Sequence, residues 1–396
     1  MHEAAGRGRS VMMGDANSQP TLYYNISLED FVPQDHPLRS IRPLIDTKEI
    51  RRICRDLYAP IGRPSIPPEQ LFLALVAGYL LGITSERKLV MELQCNMAVR
   101  WFVGLGLEEH AWDASTFSQN RRRRFDQSGV LEKLFDQTVR RAFARGLISQ
   151  HVSADGTLVR ANASFKSFVP IEVALDPQEY KKRLRSADEE DSGPPQDPGN
   201  PTVDFRGEKR SNRTHRSRTD PDCRFISNRS SGTGAYPGYT VNALMENRNR
   251  ILVGVGVEIT QGCTSEEQGC RELLRRARCR YRFQPKSLGA DKGFFHQGFI
   301  EQLLEQRIQP HIAVERREKT STHSRVRMRK RGAGYQLSQR CRKKIAELFG
   351  EAKDWHGLRR FRRRKLYRVR EETWMIGWVL NLKRLAKLIQ PAPAIA

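Results

Sequence analysis

No run of apolar residues in this 396-residue chain is long enough to cross a membrane. A span needs about 18 or more such residues. The longest run here, Leu71 to Leu81, is shorter and carries Gly78 and Tyr79. Residues 1–19 lack the apolar core of a signal peptide and read as a disordered leader, with Met12 or Met13 a plausible start. Cysteine is sparse and irregular: the seven residues Cys54, Cys95, Cys223, Cys263, Cys270, Cys279 and Cys341 form no CxxC pair and no zinc-type Cys/His spacing. That pattern suits a reducing cytoplasm, not a disulfide-stapled secreted fold. The nine histidines show no His/Asp/Ser grouping of a hydrolase. Acid is also in short supply, with 45 Asp and Glu against 69 Lys and Arg, a formal net charge of +24. A balance this basic points to nucleic acid or another anionic surface as partner.

What is present falls into regions. Length suggests two or three domains. After the leader, residues 20–147 read as an all-helical domain. Pro67 and Pro68 open a helix through Leu71, Phe72, Leu75, Val76 and Tyr79, and Ser85 caps the next. A third helix follows Asp113-Ala-Ser-Thr-Phe and carries Arg121 to Arg124, and a fourth runs from Leu131 to Gly146. Residues 148–390 alternate strands with helices. His151-Val-Ser-Ala-Asp-Gly-Thr-Leu-Val, short and Gly-punctuated, reads as a strand ending in a turn, Tyr239 to Ile259 as a hairpin, and Ser287 to Asp291 and Pro310 to Val314 as further strands. Helices are expected over Glu266–Arg278, His296–Gln306, about 338–355 and about 368–389. The order predicts a mixed sheet with helices packed on it, an α+β or α/β arrangement behind the helical domain. Residues from about 178 to 235 are rich in Lys, Arg, Ser, Asp, Gly and Pro without apolar periodicity, and read as a long disordered insertion. Arg316–Arg331 reads as a second basic loop.

Two aspartates stand where strands are expected to end: Asp155 in Ala-Asp-Gly and Asp291 in Ala-Asp-Lys-Gly. Carboxylates at the C-terminal edge of neighbouring strands face the crevice where open sheets bind ligands. Two of them can share hard divalent cations, which clamp the oxygens of a phosphodiester without any Cys or His. Taken singly, each motif is an ordinary turn signature.

In order along the chain, Phe31-Val-Pro-Gln-Asp-His-Pro-Leu-Arg, Ser-Ala-Asp155-Gly-Thr-Leu-Val, Gly238-Tyr-Thr-Val-Asn-Ala-Leu-Met, Leu-Gly-Ala-Asp291-Lys-Gly-Phe, Leu348-Phe-Gly-Glu-Ala-Lys and Asn381-Leu-Lys-Arg-Leu resemble the DDE transposases of bacterial insertion sequences. The resemblance implies an RNase H-like catalytic core and two Mg²⁺ (or Mn²⁺) ions on Asp155 and Asp291. It implies metal-dependent strand cleavage at the element's ends, then attack of the freed 3′-OH on target DNA. The partners it implies are terminal inverted repeats, target DNA and at least a second protomer in the DNA complex. The expected location is the cytoplasm, on the nucleoid.

The family's third carboxylate is a Glu on a late helix, four residues after an Arg and seven before a Lys. Arg342 and Lys353 match the flanks, but the Glu position falls on Ala346, and the family's Tyr falls on Gln339. Glu347 is the only acid at hand. At about 100° per residue it is rotated well away from the flank shared by Arg342, Ala346 and Lys353. Either this copy lacks its third metal ligand, and cleaves poorly or acts as an inactive DNA-binding regulator, or the helix shifts by one residue and Glu347 serves. Arg342 and Lys353 are expected to contact DNA, as a fork and a point charge respectively. Arg121, Arg122 and Arg124, with Arg359, Arg360 and Arg363 after the late helix, are expected to hold the phosphate backbone.

Overall fold

One strand organises the molecule. In the computed structural model, which describes residues 27–62, 64–171, 204–205, 208–227, 234–260, 265–314, 322 and 332–389, that strand is β1, His151–Arg160. The leader, the centre of the insertion and nearly all of Arg316–Arg331 lie outside the described residues.

Among the described residues eight α-helices precede β1: three short ones over Leu28–Phe31, Pro37–Ile41 and Thr47–Cys54, then α1 (Pro68–Leu80), α2 (Glu86–Cys95), α3 (Met97–Val103), α4 (Ser115–Asn120) and α5 (Val130–Ala144). Helix α1 is buried almost all round, as its near-continuous apolar sequence requires. Asn96 caps α3 by accepting from the N–H groups of Ala98 and Val99, and Gly104 ends it in the left-handed region. The run Arg121–Phe125 continues α4 as a π-helical turn.

The sheet adds β2 (Arg224–Ile226), β3 (Tyr236–Glu246), β4 (Leu252–Glu258), β5 (Ser287–Ala290) and β6 (Gln309–Ile312). Strand β3 pairs antiparallel with β1 from Val152↔Glu246 to Arg160↔Gly238, and antiparallel with β4 and β2 as well. On its other side β1 pairs parallel with β5, and β5 with β6. Three antiparallel strands followed by two parallel ones, in the order β4-β3-β1-β5-β6, is the RNase H-like arrangement. Strand β3 is covered on both faces, which fits its unbroken burial from Pro237 to Glu246.

Helices α6 (Ser265–Tyr281) and α7 (Gln297–Glu305) cover one face through Cys270, Leu273, Phe299 and Ile300. The other face receives α8 (Ala333–Trp355) and α9 (Leu366–Ile389). Ile345, Leu348, Phe349 and Ala352 of α8 join Trp378, Val379 and Leu382 of α9 in a core that also holds Leu71, Phe72 and Phe135. The helical region and the sheet thus share one apolar cluster. The apolar stripe of α9 is spent on that core, as its spacing predicts.

Two expectations change. The first strand does not turn at Asp155-Gly156; it runs on to Arg160. A Cβ on Gly156 would lie 2.6 Å from the Cγ of Glu266, so this glycine serves a close approach and not a turn. The second concerns the insertion, where residues 208–227 are ordered. Strand β2 joins the sheet, and His215–Ser217 pairs with Phe168–Pro170. Polar side chains fix this stretch: Asn212 both donates to and accepts from the backbone of Phe225, and the Asp220 carboxylate accepts from the Tyr239 hydroxyl at 2.6 Å. Hydrogen bonding of that kind leaves no apolar period to read.

Candidate active site and nucleic-acid surface

Beyond Ser153, β1 has lost its parallel neighbour, because β5 pairs only with His151–Ser153. At that point the sheet switches from antiparallel to parallel, the place where open sheets leave a crevice for ligands. Asp155 faces it from mid-strand, and its Oδ1 accepts from the Gly156 N–H at 2.9 Å. Asp291 sits just past the end of β5, caps the short turn Lys292–Phe294, and accepts from the Gly293 N–H at 2.8 Å.

The fold brings the two aspartates into one electrostatic environment. Burial pushes the Asp155 carboxyl up to about 6; the Asp291 charge adds to the rise, while the Gly156 N–H and Arg342 oppose it. A third carboxylate joins them. Glu266, in the first turn of α6, is pushed up to about 7, first by burial and then by Asp291 and Asp155. Its carboxyl packs over the two glycines that follow the aspartates. Its Oε1 is 2.9 Å from the point a Cβ on Gly156 would occupy, and its Oε2 is 3.6 Å from the corresponding point on Gly293. That second point is itself 3.0 Å from Asp291 Oδ1. The sequence gives no direct sign of Glu266, since acids in a first helical turn are ordinary partners of the helix dipole. The usable signal was indirect: a glycine soon after each aspartate, leaving room for a third group.

Helix α8 closes the crevice from the side. Gln339 donates to the carbonyls of Ala290 (3.1 Å) and His311, tying the helix across the ends of β5 and β6. One flank then carries Arg342, which lowers the Asp155 pKa, and Lys353, which donates to Thr157 Oγ1 at 2.6 Å. Thr157 lies on the same face of β1 as Asp155. Ala346 lies between Arg342 and Lys353 on that flank, exposed, with only a methyl group. Glu347 is not brought to the aspartates. It is turned one residue around the helix, 59% exposed, and its Oε2 accepts from Arg250 in the β3–β4 turn at 3.0 Å.

The donor set suits a hard cation. Glu266 feels the charges of Asp291 and Asp155, and among the described residues no hydrogen-bond donor or cation pairs with its carboxyl. Among those residues no three acidic, His or Cys side chains yet stand close enough to ligate one ion together.

The two basic runs, distant in sequence, line one cleft of about 380 Å³ through Arg121, Arg122, Arg362, Arg364 and Arg368. The arginines are not equivalent. Arg122 is exposed, and Arg121 is paired with Glu86. Arg124 is turned inward, stacked over Tyr58 with 4.4 Å to the ring centroid and bonded to Asn120 and Ser65. Arg363 is also drawn in, between Asp126 and Glu371, the latter at 2.8 Å. Arg360 is exposed, as is Arg359, which pairs with Asp354.

Two family models match the chain: a transposase domain (DUF772) over residues 26–123 and a transposase DDE domain over residues 208–382. Together they span well over half of it; Asp291 lies within the second, and β1 with Asp155 falls between them. No curated protein matches the chain. Similar solved structures include a Mos1 transposase paired-end complex with left transposon end, at 11% identity over 75% of this chain and 82% of that one, TM-score 0.20. A Mos1 strand transfer complex matches at 12% identity over 75% and 81%, TM-score 0.19. At these scores the strand order carries the fold, and the superpositions add nothing to it.

Proposed function

The chain belongs to the DDE transposases of insertion sequences, and from that premise we propose that it binds the terminal repeats of its element and cuts and joins DNA at the Asp155–Asp291 crevice. One observation carries the assignment of the site. Two aspartates, far apart in sequence but on neighbouring strands, feel each other's charge, and the facing helix presents Arg342 and Lys353. Asp155 and Asp291 would hold two divalent ions, Mg²⁺ or Mn²⁺. Bound there, such ions stabilise charge on the attacking and leaving oxygens of a phosphodiester.

The chain's own groups orient the substrate. Arg342 can fork onto a phosphate beside the scissile bond, and Lys353 supplies a compact charge two residues along β1 from Asp155. Arg121, Arg122, Arg359 and Arg360 would hold the backbone through contacts that carry no base information. In cleavage, a water oxygen bonds to phosphorus, the bond from phosphorus to O3′ breaks, and a proton goes to the departing O3′. In transfer, that 3′ oxygen attacks a target phosphorus and a target 3′ oxygen leaves. Joining two ends to one target calls for at least two protomers.

The competing reading is an inactive DNA-binding relative, and Ala346 is the observation that favours it. A gel shift combined with a nicking assay on terminal-repeat DNA separates the two. The expected result is binding together with Mg²⁺-dependent nicking that a chelator stops. Binding without nicking would select the inactive relative.

A further inference from the structure

We propose that Glu266, on the helix that follows the central hairpin, supplies the third carboxylate of the metal site in place of the missing acid at Ala346. The proposal rests on the reading of the crevice as a metal-dependent nuclease site and adds a ligand from an unexpected element.

Four observations converge on it. The flank of α8 that faces the crevice offers no acid, because Ala346 stands between Arg342 and Lys353, and Glu347 is engaged with Arg250. On the other side of the crevice, α6 begins at Ser265, and its second residue points back over β1 and the end of β5. Gly156 makes that approach possible, since any side chain there would collide with Glu266 at 2.6–2.9 Å. Finally, the Glu266 carboxyl has no donor or cation partner among the described residues, whereas its neighbour Glu267 is paired with Arg271 at 2.5 Å. A half-buried carboxylate beside two others, left without a counter-charge, is costly unless a cation completes the set.

Chemically the exchange is balanced. The family arrangement takes its third oxygen ligand from the late helix. Here the same hard-oxygen donor would come from the opposite wall, and the late helix would keep only its DNA-facing Arg342 and Lys353. The crevice then retains three carboxylates despite the alanine.

The test uses the full-length chain and two readouts. Mn²⁺ binding is measured by calorimetry without DNA, and Mg²⁺-dependent nicking is measured on terminal-repeat DNA. Variants are Glu266→Gln, Asp155→Asn and, as a matched control on the same helical turn, Glu267→Gln, each checked for wild-type melting. Glu266→Gln and Asp155→Asn are each expected to weaken Mn²⁺ binding about tenfold or more and to bring nicking to background. Glu267→Gln should leave both near wild type. Mn²⁺ binding and nicking that depend on Asp155 but survive Glu266→Gln would overturn this inference alone. A wild type that neither binds Mn²⁺ nor nicks would overturn the nuclease reading together with it.

Discussion

At the scale of single residues, the crevice is shaped as much by what two positions lack as by what the acids offer. Gly156 and Gly293 each lie beside an aspartate, and the Glu266 carboxyl occupies the space above them. Gly156→Ala would place a methyl group 2.6 Å from Glu266 Cγ and force that side chain out. Overpacking of this kind costs about 1–3 kcal/mol. The expected outcome is a folded protein, slightly less stable to urea, whose Mn²⁺ affinity drops with the displaced carboxylate; unchanged affinity would contradict the assigned role of this glycine. Asp155 and Asp291 stand out in the sequence because each lies in an ordered series of motifs. The nearness of Glu266 does not, because contact between α6 and β1 is set by the fold and leaves no mark in local spacing. Glu347 was nameable only as the nearest acid, and one residue on a helix is enough to turn it towards Arg250.

At the scale of elements, periodic segments were legible and polar ones were not. The stripe Ile345, Leu348, Phe349, Ala352 and the apolar face of α9 are buried as their spacing required, although Trp355, at the end of the first stripe, is 66% exposed. Residues 208–227 have no such pattern, yet they are ordered against the catalytic half. Asp220 and Asp222 reach the start of α9: Asp220 Oδ1 accepts from the Lys365 N–H at 2.9 Å and Asp222 Oδ2 from the Leu366 N–H at 2.8 Å. Carboxylates at a helix N-terminus satisfy free N–H groups and meet the positive end of the dipole. Because these acids come from about 145 residues earlier in the chain, no local capping signature announces them. Asp220→Ala would strand the buried Tyr239 hydroxyl and remove the acceptor of the Lys365 N–H. A loss of about 1–3 kcal/mol is expected in urea unfolding. A loss near zero would show that this stretch does not hold the last helix.

At the scale of the whole molecule, the charge of +24 resolves into distinct roles. Arg124 and Arg363 are spent internally, on Tyr58 and on Asp126 and Glu371. Arg122, Arg360 and Arg364 have no carboxylate partner among the described residues, and with the ion-paired Arg121 and Arg359 they are the arginines offered to an anionic polymer. If about four of them neutralise phosphates, affinity for terminal-repeat DNA should fall on the order of a hundredfold for a fourfold rise in salt. Gel shifts at several salt concentrations would measure this, and affinity flat across that range would remove the electrostatic surface from the account. The central claim is that the carboxylate crevice cuts DNA, and nicking of terminal-repeat DNA by the wild type and by Asp291→Asn tests it most directly. The account predicts Mg²⁺-dependent nicks from the wild type and none from Asp291→Asn, with DNA binding intact in both. Nicking by Asp291→Asn at the wild-type rate would contradict it.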